Sequence, residues 1–219
     1  MVRDIKNKRD RWWQRDVDGP YLLLRFAHLV GLMLISAGLI GVFVADMRSR
    51  QVRDVKLFAQ AVTFIAVFYD GLVVPGALLL LASGTWVIVS SYGGWEFLKV
   101  PWLVGMVILF AFEFIEGNTI TRLYFMRLRR LARAALAQER VTPELADARA
   151  EQLASFTHFL DIPILLVIVS LGAMRPTDWT QFVTGIVIAV AAASLLNYFI
   201  PRLYPWGGEQ ALPSHSVGE

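Results

Sequence analysis

His28 lies within an apolar run that opens at Tyr21, and Arg25 stands one helical turn before it on the same face. Lys99 begins a later apolar run and Arg175 closes another, so all four residues fall at one side of a membrane if those runs cross it. An imidazole beneath cationic groups suits haem b, with the ring nitrogen on the iron and guanidinium or ammonium groups on the propionates. A plainer role is open on the same spacing: His28 bonds a neighbouring helix while Arg25 and Lys99 extend to the headgroups. The chain has no cysteine, which excludes thiolate metal sites, iron–sulfur clusters and covalently attached haem.

A second polar set, Asp70, Glu113, Glu116, His158 and Asp161, falls toward the opposite side. Glu113-x-x-Glu116 and His158-x-x-Asp161 each place two ionisable groups on one helical face, a spacing used by carboxylate metal sites in bundles. The same spacing serves proton transfer, or a structural network in which the carboxylates meet His158 and nearby arginines. His28 and His158 enter from opposite sides, on the order of 20 Å apart in depth, too far to share one haem. His215, in a tail containing Pro and Gly, receives no role. The sequence contains no P-loop, dinucleotide fingerprint, nucleophile elbow or HExxH motif.

Five runs are long enough to hold these residues across about 30 Å of hydrocarbon: Tyr21–Ala45, Leu57–Val89, Val100–Ile120, Phe156–Met174 and Phe182–Ile200. With 56% hydrophobic and 18% charged residues, the expected fold is all-α, a polytopic membrane bundle with a four-helix core over 21–176 and a fifth transmembrane helix over 177–203. A basic aromatic tail, 1–20, is expected at the interface, and 204–219 as a flexible tail. The first run lacks a small-residue cleavage pattern and is expected to remain as a helix. Leu57–Val89 exceeds one crossing and is interrupted by Asp70, Gly71 and Pro75, so its first part is expected to project from the membrane.

Cations concentrate on the side that holds the Asp46–Lys56 connection, the 121–155 loop and the C-terminal tail, among them Arg48, Arg50, Arg53, Lys56, Arg122, Arg127, Arg129, Arg130, Arg133 and Arg140. The positive-inside rule puts that side in the cytoplasm, against the pull of the basic residues in the 1–20 tail. Within the loop, the third helix is expected to continue past Arg122, and Thr142-Pro143-Glu144 to start the fourth helix before the membrane, making a helical hairpin. A net charge of +3, with its cations at membrane boundaries, gives no footprint for nucleic acid. The last run is rich in Ala and Gly, which permits close helix contact or a partner surface.

Three segments together carry a resemblance. Tyr21-Leu-Leu-Leu-Arg-Phe-Ala-His28-Leu, followed by Ala37-Gly38-Leu39, resembles the first helix of HemJ-type protoporphyrinogen IX oxidases and of CopD-like copper-resistance membrane proteins. Gly94-Trp95-Glu-Phe-Leu-Lys99 resembles the Gly-Trp-x-x-Lys approach to the third helix of the HemJ type. Leu160-Asp161-Ile162-Pro163, ending at Arg175-Pro176, resembles that family's last core helix, with Asp161 in place of its glutamate. Across 21–176 the chain is most similar to the predicted integral membrane protein family of the same superfamily. The resemblance implies His28 as axial ligand of haem b and Lys99 as a cofactor-site residue. It further implies a protoporphyrinogen-oxidase-like oxidoreductase of the bacterial inner membrane, passing electrons to quinone or a respiratory chain. The alternatives are a non-catalytic accessory subunit of a larger membrane complex or homo-oligomer, and a copper-handling membrane protein.

Overall fold

The computed structural model describes residues 19–52, 54–138 and 140–204. The tails expected over 1–20 and 204–219 therefore lie, but for Gly19, Pro20 and Tyr204, outside the described residues, as do Arg53 and His215. The described residues contain no strand. Their α-helices are α1 Gly19–Gln51, α2 Val55–Ser91, α3 Pro101–Ala137, α4 Pro143–Arg149, α5 Gln152–Met174 and α6 Thr180–Leu203. All except the short α4 are long and apolar enough to cross a membrane, which gives the five-span α-helical bundle expected of the apolar runs.

Two boundaries differ from the sequence reading. The segment after Ala45 is not a connection: α1 continues to Gln51 because Asp46 and Arg50, one turn apart, face inward and pair, Arg50 Nε donating to Asp46 Oδ2 at 2.8 Å. Thr142 does cap a helix with Pro143 at its first position, its hydroxyl accepting from Leu145 N. That helix is the separate α4, however, and stops after seven residues. Its last residue, Arg149, is buried with its guanidinium 3.6 Å from the centre of the Phe58 ring. The chain then turns at Ala150–Glu151 and starts α5 on a new course that brings Ser155, Thr157 and His158 against α1 and α3.

Both α2 and α3 widen into a π-helical turn, Tyr69–Val73 and Gly117–Thr121. The first sits just ahead of Pro75, whose ring cannot donate into a regular α-helical ladder. The two wide turns meet where Tyr69 Oη donates to Gly117 O at 2.6 Å. Only glycine permits that approach, since a Cβ at Gly117 would stand 2.7 Å from the tyrosine oxygen. Helix α6 lies on α5, with Gly185 against Val167 and with Ala189 and Ala193 buried, while Val183, Val187, Ile188 and Leu195 face outward.

The bundle has two apolar centres. One joins α1, α2, the far half of α3 and α4 around Val42, Phe58, Val62, Ile65, Leu128 and Leu145. The other joins the near half of α3 to α5 and α6 around Leu109, Phe159, Ile164, Leu171 and Ala193.

Candidate functional site

Helices α1 and α2 run antiparallel, and their close packing brings His28 against Ser83 and Gly84. Ser83 Oγ lies 2.6 Å from Leu79 O and 3.0 Å from His28 Nδ1. With the hydroxyl proton assigned to the carbonyl, the oxygen accepts from Nδ1–H, the tautomer that leaves Nε2 unprotonated. Gly84 also packs on the ring, where a Cβ would approach His28 Cε1 to 3.3 Å.

The cations expected around His28 occupy the same end of the bundle but make other contacts. Arg25 is exposed, its guanidinium 5.6 Å from the centre of the Tyr21 ring. Lys99 ends the short 3₁₀ segment Gly94–Lys99 and pairs with Glu96 in the open. Arg175 caps α5 in the left-handed conformation (φ 49°), 5.4 Å from the ring centre of Trp102 in the first turn of α3. Lys99 and Arg175 thus share the head of α3, and His28 itself touches α2.

At the other end of the bundle, His158, Asp161 and Glu116 of the second set come together in the interior, each under a tenth exposed. His158 Nδ1 is 3.7 Å from Asp161 Oδ2, and its Nε2 is 3.8 Å from Oδ2 of Asp46, the residue paired with Arg50. Glu116 Oε1 accepts from Thr121 Oγ1 at 2.7 Å, and that hydroxyl lies 3.3 Å from Thr157 Oγ1. Glu113 stands one turn away with Oε1 buried and without a hydrogen-bond partner. Asp70 does not join them: it is half-exposed and takes Arg122 Nη2 at 3.0 Å and Nε at 3.2 Å. Arg149, the last residue of α4, is buried at the same end; burial pushes its guanidinium down to about 10, nearby Arg50 acting in the same direction and Tyr124 against it.

Asp46, Arg50, Tyr69, Ser83, Thr121 and Thr157 were not among the residues singled out by type and spacing. The i,i+4 spacing of Asp46 and Arg50 was the one available signal, masked by their position at the end of an apolar run. Eighteen residues of α1 separate His28 from Asp46, so the two polar levels stand about 27 Å apart at 1.5 Å per residue. Among the described residues, no three His, Asp or Glu side chains converge as metal ligands do. A groove of about 530 Å³ runs along the outer face of α1 and α2 between these levels, lined by Ala37, Ile40, Val44, Phe64 and Phe68 with Arg48 at its rim.

Comparison with known proteins yields a match over residues 22–176 to the family described as predicted integral membrane protein (DUF2269). No curated protein and no solved structure matches the chain.

Proposed function

This chain belongs to the DUF2269 family of predicted integral membrane proteins; we propose that it binds haem b and serves a redox role, haem-biosynthetic or electron-transferring. The observation that carries the reading is the Leu79–Ser83–His28 relay, which fixes Nδ1–H and leaves Nε2 with its lone pair. An oriented imidazole with its second nitrogen hydrogen-bonded is how proteins hold histidine ligands to metals. The residues present fit a haem in their donor chemistry: His28, its ring packed on Gly84, would supply a nitrogen ligand, and Arg25, Lys99 and Arg175 would supply cations at the same end for propionates. When bound, the group would supply one-electron chemistry. Ser83 would orient the ligand, and the apolar walls of α1 and α2 would exclude water from it. The onward acceptor proposed is a quinone or respiratory-chain component.

The test is a pyridine haemochrome assay and an absorption spectrum on full-length protein expressed with adequate haem supply. Wild type is expected to carry haem b. His28→Ala should lose the Soret band while circular dichroism stays helical, and Ser83→Ala should weaken haem retention by about 10- to 100-fold. Folded wild type without haem would overturn the reading. If such haem-free protein instead co-purifies with a larger complex, the accessory-subunit role replaces it.

A further inference from the structure

His158 is the buried group for which a haem at His28 has no use. It is 3% exposed, both ring nitrogens are buried without a hydrogen-bond partner, and Phe43, Phe125 and Phe159 surround the ring. Each nitrogen nevertheless points at a carboxylate, Nε2 at Asp46 and Nδ1 at Asp161, both just under 4 Å away. Glu116 of α3 is buried at the same level, its carboxylate bonded to Thr121, whose hydroxyl lies 3.3 Å from that of Thr157 beside His158. Carboxyl groups buried close together share a proton rather than both ionise, because two carboxylates repel. The side chains therefore form a continuous series from Asp46 on α1 through His158 and Asp161 on α5 to Glu116 on α3.

The charged and titratable groups around the series come from every neighbouring helix. Arg50 of α1 pairs with Asp46; Tyr69 of α2 bonds Gly117 O; Glu113 and Tyr124 of α3 and Arg149 of α4 complete the surroundings. Asp70 and Arg122 neutralise one another at the surface. An unbalanced charge in this interior is costly. Asp46 is balanced by Arg50, and His158, Asp161 and Glu116 are together neutral in two ways. Either imidazolium at His158 faces one negative charge shared by Asp161 and Glu116, or neutral imidazole faces two carboxylic acids.

We propose that the Asp46–His158–Asp161–Glu116 series is an intramembrane proton-transfer site, with the proton as its ligand and His158 as its exchange centre. The inner step breaks Nδ1–H as Asp161 Oδ2–H forms, turning imidazolium and carboxylate into imidazole and carboxylic acid with no change in net charge and no electron transfer. Exchange with the cytoplasmic side runs through Nε2 and Asp46, at the far end of α1. The proposal does not rest on haem at His28, which lies at the other end of the bundle.

The test uses full-length protein labelled with ¹⁵N-histidine in phosphatidylcholine/phosphatidylglycerol vesicles. Nitrogen NMR follows His158 across pH, assigned by its loss in His158→Gln, and infrared spectroscopy follows the protonated-carboxyl band in the same samples. His158 is expected to titrate in step with that band. Asp161→Asn removes the nearest shared negative charge, so the imidazolium should be lost at a pH lower by about one unit or more. Glu116→Gln should shift it the same way and diminish the carboxyl band, which keeps the test sharp should Asp161→Asn fold poorly. Asp70→Asn should leave both signals unchanged. A His158 held as neutral imidazole at every pH, or a midpoint unmoved in both Asp161→Asn and Glu116→Gln, would overturn the proposal.

Discussion

Arg50 is 3% exposed, and the carboxylate of Asp46 lies 2.8 Å from its Nε. Taking that acceptor away leaves the buried guanidinium without the Asp46 carboxylate, and breaking a buried pair from one side costs about 3–5 kcal/mol. Asp46→Ala should therefore lower the thermal stability of the detergent-solubilised protein markedly. Pairing Asp46→Leu with Arg50→Met removes both charges and should cost less than the sum of the two single changes. These residues also show where sequence reading stopped at this scale. Glu116, His158 and Asp161 were legible because an ionisable group inside an apolar run has little to do in lipid. Asp46 and Arg50 sit where an apolar run gives way to charge, and a sequence looks the same there whether the helix ends or continues inward. Asp70 misled in the opposite way: it interrupts an apolar run, yet pairs with Arg122 at the surface.

The helix pair α1–α2 is held close by glycine, and its positions differ sharply in what a methyl group would meet. A Cβ at Gly76 would stand 2.8 Å from Ile35 N and 2.9 Å from Gly31 O, both backbone atoms that cannot rotate away. Gly76→Ala should thus force the helices apart at a cost of about 1–3 kcal/mol. Gly71, five residues earlier in the π turn, has nothing within 4 Å. Gly71→Ala should be neutral or stabilising by up to about 1 kcal/mol, because alanine favours helix over glycine. Melting curves of the two variants beside wild type decide it; equal losses would mean that the close approach at Gly76 contributes nothing. The five spans were legible because length and hydropathy are properties of one segment at a time. The π turns, the turn between α4 and α5, and the Ser83 contact to His28 depend on which helix lies opposite, and a single sequence does not print that pairing.

Across the whole molecule, side-chain contacts put the two polar levels at opposite ends of one bundle, His28 with Ser83 at one and Asp46 with His158 at the other. Helix α3 carries Arg127, Arg129, Arg130 and Arg133 beyond the second level to Ala137, and α4 packs beneath it through Leu145. Such a cationic extension resists translocation, whereas the connection between α2 and α3 holds Lys99 already paired with Glu96. The expected orientation therefore places Ala137 in the cytoplasm and Ser91 outside, one crossing apart along α3 and its approach. Both positions are exposed, so Ser91→Cys and Ala137→Cys, each the sole cysteine of its chain, report directly with a membrane-impermeant maleimide. In intact cells the reagent should label Ser91→Cys and reach Ala137→Cys only after the membrane is opened. The reverse pattern would keep five spans but turn the molecule over, giving the basic residues of the 1–20 segment the greater weight and placing the Asp46 end of the proton series outside the cell. Labelling of both from one side would remove the crossing between them, and with it the separation of His28 from His158 on which two independent sites depend.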